Sequence, residues 1–138
     1  KPKVRLPGSG GSAEIAAWAN RTYLITPHQA RRFPARCDFI TGAGGLDGPG
    51  ARRATGVRGA GPAAVVTDIG LLAPNADGEL VLTAVHPGRT SDEARANTGW
   101  ALQVADNLLT TEPPSVEELR LLREALDPDG IYLKGGAG

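Results

Sequence analysis

Glycine and proline interrupt this chain at short intervals, and this punctuation limits what the chain can fold into. The longest stretch free of both residues runs from position 12 to position 26. Helices and strands must therefore be short, because glycine and proline destabilise the interiors of both. The 19 glycines and 11 prolines are nearly twice the usual share, and no Gly-X-Y period accompanies them. The excess belongs to loops, which commonly carry function, and not to a collagen-like fibre.

Length and charge narrow the class of protein further. The 138 residues suit one domain, and we expect a single folded unit over residues 1–138. Lys and Arg number 15, as do Asp and Glu, so the formal net charge is +0. A neutral chain has no overall field for nucleic acid or an anionic membrane, and any anion must be bound locally. No apolar run approaches the ~20 residues of a membrane span.

The cysteine and histidine content argues against disulfides and metal clusters. Cys37 is the only cysteine, which excludes an internal disulfide and favours a reducing, cytoplasmic setting. His28 and His86 are too few for most zinc sites, so we expect no metal and place both on the surface or at caps. Cys37 is predicted to be packed at a strand start. Trp18 and Trp100 lie on apolar faces and are predicted to be core residues.

The N-terminal part of the chain has the pattern of a β-α-β unit. Residues 4–6 alternate apolar and basic side chains before a glycine-rich stretch, which predicts a strand. A helix is expected from an N-cap at Ser12 towards Asn20, and residues 23–26 form the next strand. After a turn, a third strand is expected at residues 38–41. This order predicts an α/β fold.

A hairpin and two further helices are predicted in the rest of the chain. The final helix begins with a capping box of Ser115 and Glu118, and it ends at Asp127-Pro128. The elements before it are strand-like segments at 63–67 and 71–72, a turn at 74–78, a strand at 80–85, a helix at 91–97 and a strand at 100–104.

Two glycine-rich loops are the candidate binding elements. The first glycine loop, Gly8-Ser9-Gly10-Gly11, enters a helix, so its backbone N–H groups can hold an anion or a developing oxyanion. It matches neither a dinucleotide fingerprint, a Walker loop nor a nucleophile elbow, and a tight strand-to-helix turn is the alternative. The second glycine loop, residues 42–50, precedes three arginines that suit the phosphates of a nucleotide or coenzyme A (CoA). Its alternative is a solvated loop; the arginines are Arg52, Arg53 and Arg58.

Taken together, a series of short motifs resembles the family I CoA-transferases, and most narrowly the β subunit of the glutaconate type. The motifs follow the family's order and spacing over nearly the whole chain. They are Gly8-Ser9-Gly10-Gly11-Ser12-Ala13, Arg31-Arg32-Phe33, Asp38-Phe39-Ile40-Thr41, Leu46-Asp47-Gly48-Pro49-Gly50, Gly61-Pro62, Val65-Val66-Thr67-Asp68, Asn97-Thr98-Gly99, Leu122-Arg123-Glu124 and Asp127-Pro128.

The resemblance implies an open, mostly parallel α/β sheet and an active site shared between an α and a β subunit. A β-subunit glutamate attacks an acyl-CoA thioester, passes through an anhydride and a glutamyl-CoA thioester, and hands CoA to a second carboxylate. The backbone N–H groups of Gly10 and Gly11 are the implied oxyanion donors. The implied substrate and CoA contacts are Gly8, Ser9, Gly44, Gly45, Asp47 and Gly48.

The family's nucleophile has no counterpart here. The resemblance places the glutamate upstream of the first glycine loop, where residues 1–7 contain no acidic side chain. We therefore expect the C-terminal half of a β subunit, incomplete at its N-terminus, in a heteromer with an α subunit and the missing half. A separate or cleaved chain, a truncated sequence and altered chemistry all fit. The alternatives in function are an acyl-CoA decarboxylase, a ring-opening hydrolase and a non-catalytic structural or binding subunit.

Overall fold

A computed structural model describes residues 8–46 and 50–132. The strand predicted at residues 4–6, and the predicted contacts Asp47 and Gly48, lie outside the described residues. The elements in chain order are α1 (Ser12–Trp18), β1 (Thr22–Ile25), α2 (Ala51–Ala54), β2 (Pro62–Val66), β3 (Gly70–Pro74), β4 (Leu80–Val85), α3 (Ser91–Ala96), β5 (Gln103–Thr110), α4 (Val116–Arg120) and a π-helical continuation of α4 (Leu121–Leu126).

The strands form one open five-stranded sheet in the order β1-β2-β3-β4-β5. β1 pairs parallel with β2, and β4 pairs parallel with β5, whereas β3 is antiparallel to both of its neighbours. Four of these five strands therefore run in one direction, and their carboxyl ends meet at one edge of the sheet. The predicted α/β class and the open sheet are confirmed. Two of the four pairs of neighbouring strands are antiparallel, because β3 forms a hairpin with β4 and runs opposite to the other strands.

Local sequence signals account for the hairpin and the helix starts. The Asn75 side-chain oxygen accepts hydrogen bonds from the backbone N–H groups of Asp77 and Glu79, at 2.9 and 3.0 Å, and this closes the predicted turn between β3 and β4. The predicted capping box of α4 is present, since the Ser115 hydroxyl accepts from the Glu118 N–H and the Glu118 carboxylate accepts from the Ser115 N–H. The predicted helix at 91–97 is α3.

The core lies on the middle strands. Leu72 of β3 and Leu82 of β4 are both 0% exposed, so their whole apolar side chains contribute buried surface to folding. The predicted core positions of Trp18 and Trp100 are wrong, since these side chains are 58% and 38% exposed. No described element covers Trp18. The other buried apolar residues of the core cluster are Phe33, Val65, Ile69, Val85, Ala94 and Leu102.

One predicted strand is absent, and the starts of two predicted elements are shifted. Residues 38–41 form no strand, and Phe39 and Ile40 are 82% and 72% exposed, because the described sheet gives this β-prone segment no partner strand. The strand predicted at 100–104 begins instead at Gln103. In the segment before it, the Gly99 N–H donates a hydrogen bond to the Phe33 carbonyl outside the sheet. The N-cap of α1 is Gly11, one residue before the predicted Ser12.

Among residues 8–46 and 50–132, no helix has both the length and the apolar character needed to cross a lipid bilayer.

Candidate functional site

A cleft of about 1220 Å³ opens beside the second glycine loop. Gly44 and Gly45, two of the predicted ligand contacts, form part of its wall. Leu24, Val65 and Leu80 of the sheet add apolar surface to it. The remaining described lining residues are Gly50, Arg52, Arg53, Gly56, Val57, Arg58, Gly59, Ala60, Pro62, Pro74, Asn75, Ala76 and Gly78. A wall of backbone and apolar surface with a few polar groups is typical of a small-molecule site.

The described wall of this cleft is cationic although the whole chain is neutral. It contains three arginines and no aspartate or glutamate. Arg53 and Arg58 are exposed, and within the described part of the chain neither side chain has an ion-pair partner. Unpaired guanidinium groups around an open cleft attract anions, phosphates above all. The wall therefore has the charge that a local anion site requires.

Arg52 has a different role from its two neighbours. Its side chain is 9% exposed, and all five of its N–H donors are engaged with backbone carbonyls. Nε donates to the Gly59 carbonyl at 2.7 Å. Nη1 donates to the carbonyls of Ala43 and Gly44, and Nη2 to those of Ala16 and Ala17. Arg52 therefore has no donor left for a phosphate, and neither sequence alternative for it holds.

The first glycine loop is exposed at the start of α1. Gly10 has a φ of +54°, a conformation that side chains rarely adopt. The Ser9 carbonyl accepts from the Ser12 N–H and hydroxyl, at 3.1 and 2.7 Å. The N–H groups of Gly10 and Gly11 have no acceptor among the residues that the structure describes. Gly8 and Ser9 are also exposed, and none of the four residues lines the cleft.

A buried histidine at the carboxyl edge of the sheet was missed by the sequence reasoning. His28, predicted to lie on the surface or at a cap, is 3% exposed and stacks on Phe33 with ring centroids 4.4 Å apart. Its Nε2 lies 2.9 Å from the Thr98 hydroxyl, and its Nδ1 lies 3.3 Å from the Thr67 hydroxyl. Thr98 donates its hydroxyl proton to the Ala94 carbonyl, so we assign the His28 proton to Nε2.

The residues around His28 at the carboxyl edge of the sheet are polar residues that directly follow strands. This position after a strand is the sequence signal from which the histidine cluster could have been predicted. Thr67 follows β2, and its hydroxyl accepts from the N–H groups of Ile69 and Gly70. His86 follows β4 and donates from Nε2 to the Thr67 carbonyl at 2.8 Å, while its Nδ1 lies 2.7 Å from the hydroxyl of Thr111, which follows β5. Thr67 thus joins both histidines.

Burial of His28 changes the pKa of its imidazole. Loss of hydration lowers the pKa of His28, and the Asp68 carboxylate opposes that shift. The His28 backbone N–H, 2.6 Å from Asp68 Oδ1, is the main cause that lowers the pKa of Asp68. The pKa of His28 is therefore lower in the folded chain than in the unfolded chain. Between these two pKa values, the folded chain holds His28 neutral and the unfolded chain holds it protonated.

We expect this difference to make the fold less stable in mild acid. A histidine whose pKa is lowered by folding binds its proton better in the unfolded chain, so stability is complete above about pH 6.5 and falls as the pH drops towards the folded pKa. The slope from one proton is at most about 1.4 kcal/mol per pH unit. Urea unfolding of the wild type and of His28→Gln between about pH 5 and 8 measures it. An unchanged slope in the variant would assign the acid sensitivity to other groups.

Cys37 is exposed, so the prediction that it is packed is wrong. The segment around it joins none of the described strands, so no strand of the described sheet covers the thiol. Among the residues described, no group of three His, Cys, Asp or Glu side chains is placed to hold a metal ion.

Comparison with known proteins finds CoA-transferase B subunits that are similar to this chain. No family model matches the sequence. The chain is 40% identical over 124 residues to the B subunit of 3-oxoadipate CoA-transferase from Pseudomonas knackmussii, covering 89% of this chain and 48% of that protein. It is 36% identical over 135 residues to the B subunit of glutaconate CoA-transferase from Acidaminococcus fermentans, covering 96% of this chain and 50% of that protein.

Solved structures agree with the sequence matches. The crystal structure of glutaconate CoA-transferase from Acidaminococcus fermentans matches 96% of this chain and 51% of its own chain, with a TM-score of 0.85 and 35% identity. The decarboxylase AibA/AibB matches with a TM-score of 0.72 and 27% identity, over 100% of this chain and 51% of its own. This chain is homologous to CoA-transferase B subunits, which confirms the resemblance. It spans about half the length of the curated relatives that it matches.

Proposed function

We propose that this chain is part of the B subunit of a CoA-transferase that acts on acyl-CoA thioesters. One observation carries the proposal: nearly the whole chain matches two CoA-transferase B subunits at 40% and 36% identity. CoA moves in such a reaction from one carboxylic acid to another. Residues 1–138 form one unit of this subunit, and it works in the cytoplasm without a metal.

The cationic cleft supports CoA as the ligand. CoA carries phosphates at its nucleotide end, and Arg53 and Arg58 offer guanidinium groups that have no ion-pair partner among the described residues. Arg52 adds a buried positive charge with no described carboxylate beside it, so an anion in the cleft reduces the cost of burying that charge. Gly44 and Gly45 let the ligand approach the backbone. Asp47 and Gly48, which lie outside the described residues, are further proposed contacts of the CoA substrate.

The first glycine loop supplies the oxyanion site in this proposal. The Gly10 and Gly11 N–H groups lack acceptors among the described residues, so they are available to the negative oxygen that forms when a carboxylate attacks the thioester. Gly8 and Ser9 lie beside them and contact the thioester end of the substrate.

The attacking carboxylate comes from elsewhere in the assembly. We assign it to an N-terminal half of the B subunit, because the resemblance places the family's glutamate upstream of the first glycine loop and this chain covers about half of each relative. An A subunit completes the active site. The chain alone should then bind CoA thioesters weakly and transfer no CoA. Intact-mass analysis of the natively purified complex identifies the partner chains.

The double variant Arg53→Gln/Arg58→Gln tests the cleft. We expect its Kd for acetyl-CoA in the assembled complex to rise about 10- to 100-fold, because two charge-assisted phosphate contacts are lost. Binding of acetyl-pantetheine, which has the thioester but no nucleotide phosphates, should be unchanged. Isothermal titration calorimetry of both ligands measures the difference.

Arg95→Gln/Arg123→Gln is the matched control for that experiment. It removes the same two charges from exposed arginines of α3 and of the π-helical continuation of α4, and neither arginine lines the cleft. Its acetyl-CoA affinity should equal that of the wild type. If the cleft and control variants weaken acetyl-CoA binding equally, the effect comes from the overall charge and not from the cleft. If the cleft variant also weakens acetyl-pantetheine binding, the two arginines contact the acyl end of the substrate and not the phosphates.

A CoA-ester decarboxylase is the second candidate, because the decarboxylase AibA/AibB matches the full length of this chain with a TM-score of 0.72. Product analysis separates the two. A transferase requires an acceptor carboxylate and returns a new CoA thioester, whereas a decarboxylase releases carbon dioxide without an acceptor. Turnover that needs no acceptor would favour the decarboxylase, or a hydrolase if only water is consumed.

A further inference from the structure

Arg52 connects three segments that are distant in sequence. Ala16 and Ala17 are in the last turn of α1, the helix that begins at the first glycine loop. Ala43 and Gly44 belong to the second glycine loop, and Gly59 follows α2. The guanidinium donates to carbonyls of all three segments, at distances from 2.6 to 3.1 Å. One side chain therefore holds both glycine loops relative to each other.

The chemistry of this contact suits an arginine and no other residue. The guanidinium is planar and presents five donors in a fixed fork, whereas an ammonium has three donors at one point. The carbonyls at the end of α1 carry the negative end of the helix dipole, which favours a cation there. The Gly59 N–H donates to the Ala17 carbonyl at 3.0 Å and strengthens the same junction.

We propose that Arg52 is a positioning residue that sets the first glycine loop, through α1, against the second glycine loop and its cleft. This inference rests on the proposed function, in which one loop holds the thioester oxygen and the other holds the CoA. Both ends of one CoA thioester must then be bound at a fixed separation, and a displacement of about 1 Å can cost about 100-fold in rate. Arg52 itself donates to neither end, since its five N–H donors are engaged with backbone carbonyls.

Arg52→Lys in the assembled complex is the first test. The variant keeps the charge but can satisfy at most three of the five carbonyls. We expect kcat for CoA transfer to fall about 100-fold with the acetyl-CoA KM changed less than about threefold, because each loop still binds its own end of the substrate. In Arg52→Ala, guanidinium ion at millimolar concentration should restore part of kcat. The matched control Arg95→Lys, at an exposed arginine of α3 outside the cleft, should change neither kcat nor KM.

Hydrogen exchange separates this inference from the proposed function. In Arg52→Lys the amides of residues 12–18 and 43–46 should exchange faster together, and this holds even if the wild-type complex transfers no CoA. Faster exchange in only one of the two segments would overturn the coupling. Wild-type kcat in Arg52→Lys would do the same. Failure of Arg52→Lys to fold, while Arg95→Lys folds, would assign Arg52 to folding instead of positioning.

Discussion

Replacing Gly10 by valine is expected to lower the turnover number of the assembled enzyme about 100-fold, the usual cost of removing an oxyanion donor. Gly10 has a φ of +54°, which a β-branched residue adopts only with strain. The loop must therefore rotate, and the N–H groups of Gly10 and Gly11 turn away from the position of the thioester oxygen. Steady-state transfer from acetyl-CoA or glutaryl-CoA measures the loss.

Gly88→Val is the control that separates strain from chemistry. Gly88 also has a positive φ, +78°, and open space around its Cα, but it lies in the loop between β4 and α3, outside the cleft. Both variants should lose about 1–3 kcal/mol of stability through backbone strain. Only Gly10→Val should lose turnover. Unchanged turnover in Gly10→Val, or an equal loss in Gly88→Val, would remove the oxyanion role of this loop.

Gly70→Ala should be the most destabilising small substitution in the sheet. A Cβ at Gly70 would overlap the Ala84 carbonyl oxygen of the adjacent strand and would lie 3.0 Å from the Val85 Cα. These are backbone atoms of a central strand and cannot move aside. Displacing Gly70 also breaks its hydrogen bonds with the backbone and hydroxyl of Thr67, which hold the histidine cluster. We expect a loss of about 3 kcal/mol in the free energy of unfolding.

Urea denaturation of Gly70→Ala is compared with Gly11→Ala. Gly11 has a φ of −74°, and a Cβ there meets nothing within 4 Å, so alanine should change stability by less than about 1 kcal/mol. A Gly70→Ala midpoint equal to that of the control would show that β3 and β4 can separate enough to accept a methyl group.

The elements predicted correctly are those whose signals are local. The capping box of α4 involves residues three apart, and the Asn75 turn involves residues two and four apart, so each motif specifies its own geometry. The segment at 38–41 has the composition of a strand and forms none, because a strand also needs a neighbour, and neighbours are set by the sheet.

The same division applies to the candidate site. The two glycine loops and the need for a local anion site could be predicted from residue order and net charge, because the flexibility of glycine and the charge of a side chain do not depend on distant residues. The burial of His28, and the five carbonyls around Arg52, could not be predicted, because their partners lie up to 70 residues away in sequence. Residue types specify which groups are available for chemistry. The long-range packing that satisfies buried donors and acceptors selects which of those groups are left free to bind a ligand.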